Sequence, residues 1–245
     1  MHRFYADDRE IRDGQAWLEP EDARHAARVL RMKAGERLEL FSDGGRWEAE
    51  FLSVTPEEAV CRVIAPLQTT EPRLKITLYQ GLPKGDKMDL IVQKATELGA
   101  CRVVPVAMSR SVVQLKANEG EKKRERWQRI AREAAKQSGR CLLMPVEAPI
   151  SMKELLRRLP EHEAALIPWE DAAGYSLTAF HREKPEVLDV AVVIGPEGGM
   201  SAEEVDAMLE AGGRAVTLGP RILRTETAGL AAITALLCLW GEMEA

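Results

Sequence analysis

Two Gly-Pro loops, each at the end of an apolar strand, constrain this chain more than any other feature. Residues 190–227 run as an apolar strand (VAVVIG), the loop Gly195-Pro196-Glu197-Gly198-Gly199, a helix, a second strand and the loop LGPRILRTETA. Glycine lets backbone approach a ligand closely, and proline fixes the shape of the loop that does so. In open α/β sheets, ligands sit outside the carboxyl ends of the strands. The stretch therefore reads as a cofactor pocket. Pro168-Trp169-Glu170 ends the preceding strand and adds a third loop to the same rim. Loops side by side in this way can wall a purine ring with backbone donors and acceptors. Plain connecting turns remain the alternative for each loop taken alone.

The surrounding pattern supports an α/β domain. From residue 74 strands alternate with helices: strands at 74–80, 102–107, 164–168, 190–194 and 215–218, helices at 87–98, 121–138, 152–158, 202–211 and 226–240. Asp86 occupies an N-cap position and Gly99 a C′ position, while Ser201-Ala-Glu-Glu204 has capping-box spacing. Such alternation predicts a mainly parallel sheet covered by helices on both faces. Residues 1–70 differ. Short alternating strands at 37–42, 46–53 and 59–64, a hairpin turn at Asp43-Gly44-Gly45 and a helical insert at 20–33 predict a small barrel-like domain. The polar stretch QTTEPR at 68–73 marks the boundary, giving domains 1–70 and 73–245.

Composition narrows the setting. The four cysteines are scattered, with neither CxxC nor metal spacing, which fits a reduced, cytoplasmic compartment and no metal. The segment MHRFYADDRE lacks the apolar core of a secretory signal. The longest apolar run, 228–240, is shorter than the ~20 residues of a bilayer span, so no membrane association is expected. The formal net charge of −5 argues against a general nucleic-acid coat. Its distribution is uneven, however. Residues 116–140 carry nine basic and four acidic side chains, and Arg24, Arg28 and Arg31 fall at i, i+4 and i+7, one face of an α-helix. Two basic stripes on an acidic body suit contact with a particular RNA, with solvated helix faces as the alternative. Lys84 and Lys87, in the loop GLPKGDK, are placed to meet phosphates. The loop lacks the frame of a Walker A motif, GPEGG is not a dinucleotide fingerprint, and no G-x-S-x-G or HExxH is present.

Four motifs in order, GLPKGDKMDLIVQKATELG, RWQRIAREAAKQSGR, VVIGPEGG and LGPRILRTETA, resemble the ribosomal RNA small subunit methyltransferase E family, of the SPOUT class. The likeness extends to MHRFY and HAARVLRMKAGE near the start. It implies a PUA-like N-terminal barrel for RNA binding and a C-terminal SPOUT-type parallel sheet with a deep trefoil knot, which general folding rules would never suggest. It also implies a homodimer, S-adenosyl-L-methionine as cofactor, and methylation of uridine N3 in 16S small-subunit ribosomal RNA, naked or in the assembled subunit. The cofactor residues would be Leu166, Pro168, Glu170, Gly195, Pro196, Glu197, Gly198, Gly199, Leu218, Gly219, Ile222, Leu223 and Thr225. Arg3, Arg24, Arg28, Arg31, Lys84, Lys87, Arg110 and Arg140 would hold the RNA.

Uridine N3 must lose a proton before it can attack a methyl group, so a base or a nearby cation is wanted. Arg224 is the first candidate, stabilising a uracil oxyanion or orienting a phosphate. Glu226 is a second, as base, although a carboxylate at a helix N-terminus is usually too acidic for that work. Two other functions stay open on sequence: a SPOUT methyltransferase acting elsewhere, such as a 2′-hydroxyl, and a non-catalytic RNA-binding ribosome assembly factor.

Overall fold

Period-two patterning makes strands early in the chain, and strand–helix alternation takes over later, as the two side-chain periods require. The computed structural model describes residues 1–6, 11–42, 45–111, 117–172 and 174–244. The chain divides into two compact units: residues 1–71 with 135–143, and residues 72–134 with 144–245.

In the first unit the strands are β1 (His2–Tyr5), β2 (Ile11–Arg12), β3 (Gln15–Trp17), β4 (Arg37–Ser42), β5 (Gly45–Val54) and β6 (Ala59–Leu67). Among the described residues they form one sheet in the order β1-β4-β5-β6-β3-β2. Only β1–β4 is parallel. Phe4, Leu38, Leu40, Phe51 and Cys61 fill its core, with Phe4 edge-on to Phe51 at 5.7 Å. The β4–β5 pairing runs to Ser42↔Gly45; Asp43 and Gly44 of the expected turn lie outside the described residues.

The insert after β3 departs from expectation. Helix α1 (Pro20–Arg24) continues as a π-helix over His25–Leu30, and Arg31 closes it in the left-handed region at φ 55°. A π-helix bonds i to i+5 and so turns less per residue than an α-helix. The i, i+4, i+7 spacing of Arg24, Arg28 and Arg31 therefore does not place them on one face. All three are exposed.

Residues 135–143 complete this unit. Ala135 and Cys141 pack with Tyr5 and Phe41. Arg140 is only 4% exposed, and its Nη2 lies 2.5 Å from Glu71 Oε2. Glu71 Oε1 also accepts the N–H groups of Cys141 at 2.8 Å and Leu142 at 3.0 Å. Tyr5 donates to the Arg140 carbonyl. This corrects the RNA-binding expectation for Arg140, because a guanidinium buried in an ion pair cannot reach a phosphate without stranding Glu71.

The second unit alternates as read: β7 (Lys75–Gly81), α2 (Lys87–Leu98), β8 (Arg102–Ala107), α3 (Ala117–Ser138, whose last turn belongs to the first unit), β9 (Ile150–Ser151), α4 (Met152–Arg158), β10 (Ala164–Pro168), α5 (Leu177–Glu183), β11 (Asp189–Ile194), α6 (Ala202–Glu210), β12 (Arg214–Val216) and α7 (Thr225–Leu239). The sheet order among the described residues is β12-β10-β11-β7-β8-β9, all parallel. Successive strand residues feed opposite faces. Val190, Val192 and Ile194 join a core with α2 and α7, while Ala191 and Val193 join one with α4 and α6. The apolar run at 228–240 lies in α7, which buries Ala232, Ile233, Leu236 and Leu237. No helix among the described residues is long and apolar enough to cross a membrane.

Chain order places the site. After β9 the chain returns to form β10 on the far side of β7, and β11 inserts between them. Loops after β7, β10, β11 and β12 thus leave the carboxyl edge of neighbouring strands, where such sheets bind ligands.

Candidate functional site

Glycine is required where the loop after β11 meets β7. A Cβ on Gly81 would lie 2.6 Å from Pro196 N and 2.9 Å from the Gly195 carbonyl carbon. Gly199 has φ +71°, a conformation that L side chains rarely adopt. The loop is braced from its outer side. Arg110 Nη1 donates to the carbonyls of Gly198 at 3.1 Å and Met200 at 3.3 Å. Glu204 completes the capping box with Ser201 and also accepts the Ser109 N–H at 2.7 Å.

Beneath the loop, Thr225 links three elements. Its hydroxyl donates to the Gly195 carbonyl at 2.6 Å and accepts from Gln80 Nε2 at 2.8 Å. Gln80 is fully buried in β7, and its Oε1 has no hydrogen-bond partner among the described residues.

Lys87, the first residue of α2, bridges two carboxylates. Its Nζ lies 3.0 Å from Glu197 Oε1 and 3.2 Å from Glu226 Oε2. Glu197 also accepts the Lys84 N–H at 3.0 Å. Partial burial pushes the Glu197 carboxyl up, but its own N–H, the Lys87 ammonium and the Lys84 N–H outweigh that and hold it below the usual range. The Glu226 carboxyl is also held low, first by its own N–H at the start of α7, then by Lys87 and Arg224 against some burial. The same carboxylates push Lys87 up.

Two adjoining clefts open between these loops. The larger, about 490 Å³, is walled by Pro168, Trp169, Glu170, Leu218, Gly219 and Ile222 among others, a volume within the about 300–1,000 Å³ of small-molecule sites. The smaller, about 250 Å³, shares the 168–170 wall and adds Lys87, Gly195–Glu197, Gly199, Leu223, Arg224 and Thr225. Ile222 is 86% exposed beside both. An apolar shelf with a few convergent polar groups fits a nucleoside-like ligand bearing charged ends.

Most of the residues chosen from sequence meet here, and some do not. Leu166 is buried in the sheet core, two residues short of the rim. Gly198 is absent from both walls and turns its Cα toward Arg110. Glu226 is not on either of these walls; it lines a groove with Leu90, Leu230 and Ala235. Lys87, chosen for phosphates, stands on the smaller cleft itself. Arg110 is exposed but occupied as a loop brace, and Arg3 pairs with Glu39 at 3.5 Å. Arg224, the N-cap residue of α7, is exposed on the cleft wall and makes no side-chain hydrogen bond or ion pair among the described residues. Gln80 was missed from sequence: one amide in an apolar strand shows its role only when Thr225 is seen beside it. No group of side chains among the described residues could hold a metal ion.

The chain is similar to known proteins over nearly all its length. An RNA methyltransferase domain profile matches residues 70–237, and an RNA methyltransferase PUA domain profile matches residues 18–64. The chain is 38% identical over 222 residues to ribosomal RNA small subunit methyltransferase E of Bacillus subtilis, covering 88% of this chain and 87% of that one. A crystal structure of ribosomal RNA small subunit methyltransferase E from Neisseria gonorrhoeae bound to S-adenosyl methionine aligns with a TM-score of 0.83 at 34% identity, over 98% of each chain. A Legionella pneumophila protein in complex with the same cofactor aligns with a TM-score of 0.81 at 32% identity, over 96% of each.

Proposed function

This chain belongs to the ribosomal RNA small subunit methyltransferase E family, and from that premise we propose that it methylates N3 of a specific uridine in 16S small-subunit ribosomal RNA. Its cofactor is S-adenosyl-L-methionine. When bound, that group supplies an electrophilic methyl carbon on a sulfonium centre. The family likeness carries the N3 reading, and Arg224, an unpaired guanidinium on the wall of the smaller cleft, supports it.

The residues present fit the cofactor. Pro168, Trp169, Leu218 and Ile222 offer apolar surface for a ring, and Glu170 and Glu197 offer carboxylates for hydroxyl or ammonium groups. The protein's task is mainly positioning in a shaped, dry pocket. Thr225 and Gln80 fix the floor, and Arg110 fixes the loop that closes one side. Arg224 then stabilises negative charge on a uracil carbonyl oxygen as N3 gives up its proton. N3 lies on the pairing edge of the base, so the target must be unpaired or flipped out.

The wider reading has three further parts. The chain after β12, whose loop shares the larger cleft with residues 168–172 before Thr225 reaches Gly195, is drawn into a trefoil knot. The groove of Leu90, Leu230 and Ala235 receives a second copy in a homodimer working in the cytoplasm. The PUA-like unit, with Arg24, Arg28 and Arg31 exposed, holds the RNA or assembled subunit largely through phosphates.

The test is transfer of labelled methyl to small subunits from a strain lacking this gene, with nucleoside mass spectrometry of the product. N3-methyluridine supports the reading. Label on a 2′-hydroxyl or another base overturns the target, and absence of both transfer and cofactor binding favours an assembly factor. Unchanged RNA affinity after charge reversal at Arg28 and Arg31 removes that surface from the RNA contact.

A further inference from the structure

Lys87 is held in a way that suits neither a phosphate contact nor a solvated loop. Its ammonium sits between carboxylates from two other elements, Glu197 after β11 and Glu226 in the first turn of α7. Paired carboxylates would repel a phosphate, but they do fix an ammonium in one place. Lys87 lines the smaller cleft beside Gly195, Arg224 and Thr225, whereas Glu226 stands off that wall. An ammonium has three donors. Each of the two carboxylates takes up one of them at most. At least one donor is therefore left over, and 30% of the side chain is exposed to use it.

We propose that Lys87 is a catalytic cation, donating to a carbonyl oxygen of the target uracil and stabilising the ring anion formed when N3 loses its proton. Glu197 and Glu226 are positioning residues that aim it. This rests on the uridine-N3 reading above. The N3 proton passes to solvent water, and its electron pair stays on the ring, spread over N3 and the two carbonyl oxygens; it would form the bond to the donor's methyl carbon as that carbon's bond to sulfur breaks, the leaving pair staying on sulfur as a neutral thioether. With two carboxylates beside it, Lys87 stays charged, so it acts as a fixed cation and not as the base. Among the described residues, the other charged groups against it or on the same cleft wall are Glu170, Glu197, Glu226 and Arg224. Asp86 and Asp89, from its own loop and first turn, are engaged by Arg126 of α3.

The experiment uses Lys87→Met and Lys87→Arg in the full chain, with unmethylated small subunits, single-turnover rates from neutral to alkaline pH and calorimetric cofactor affinity. Lys87→Met should lose about 10²-fold in rate at neutral pH, the scale of removing one oxyanion donor. It should recover most of that at alkaline pH, where N3 ionises unaided. Cofactor Kd should stay within about threefold, a shift of under ~1 kcal/mol. Lys87→Arg should keep most of the neutral-pH rate. A 5-fluorouridine at the target, more acidic at N3, should rescue Lys87→Met. A deficit equal at every pH, a loss confined to cofactor affinity, or no deficit would each overturn the proposal. The wild-type product is identified in the same assay, so a failed N3 reading shows there, apart from the Lys87 variants.

Discussion

Gly81→Ala isolates the fit between β7 and the loop after β11. Gly81 lies outside the left-handed region, so alanine suits its backbone and any penalty comes from collision alone. The added Cβ would lie 2.6 Å from Pro196 N and 2.7 Å from Pro196 Cδ, against ordinary contact near 3.5–4.0 Å. The loop must move by about 1 Å, because β7 is pinned between β11 and β8 and the struck atoms are backbone or the rigid proline ring. Overpacking of this kind costs about 1–3 kcal/mol. For a chain of this size that is a drop of about 2–4 °C in Tm per kcal/mol. The larger effect should fall on the site, since a displacement of about 1 Å can cost about 10²-fold in rate. Cofactor affinity should fall about tenfold or more, equal to ~1.4 kcal/mol. Thermal melting and titration calorimetry with S-adenosyl-L-methionine measure both. A variant that melts with the wild type and binds cofactor equally would refute the reasoning, showing that the loop is not braced against β7.

Three further outcomes are expected. Thr225→Val removes the donor to the Gly195 carbonyl and the acceptor for Gln80, and should cost about 1–3 kcal/mol of stability by urea unfolding, while Thr225→Ser should be near neutral. Ile222→Ser changes a side chain already 86% exposed, so Tm should hold while cofactor affinity drops about tenfold, the loss of ~1–2 kcal/mol of apolar burial on binding. Glu197 and Glu226 are both held below their ordinary value of 4.5 when folded. Their contribution is therefore present above that pH and is lost as pH falls through the folded values. Stability by urea unfolding should be level through the neutral range and decline on acidification below 4.5; stability that declines instead toward alkaline pH would contradict the assignment.

Local signals were legible wherever a local rule decides the outcome. Lys87–Leu98, Arg102–Ala107, Met152–Arg158 and Ala164–Pro168 form the elements their patterning predicts, to the residue. The Ser201 capping box and the Gly99 cap are present. The misses share one cause. Asp86 holds the N-cap position of α2 without capping it, because its carboxylate pairs with Arg126, 40 residues away in sequence. Arg140 looked like a helix-end cation facing a ligand until Glu71 was found against it.

The sequence alone determined the strand–helix alternation and the three glycine- and proline-marked loops, because hydrophobic period and turn chemistry act over a few residues; its four motifs carry the family likeness, which implies the class of cofactor. The tertiary structure decided which charges are used, and how. Arg28 and Arg31 lose a common face to a π-helical turn, Arg140 is spent inside a domain, and Lys87 is drawn from a loop to the cleft by Glu197 and Glu226. A charged side chain's role depends on partners that only folding brings within a few ångströms, and no spacing along the chain carries that distance.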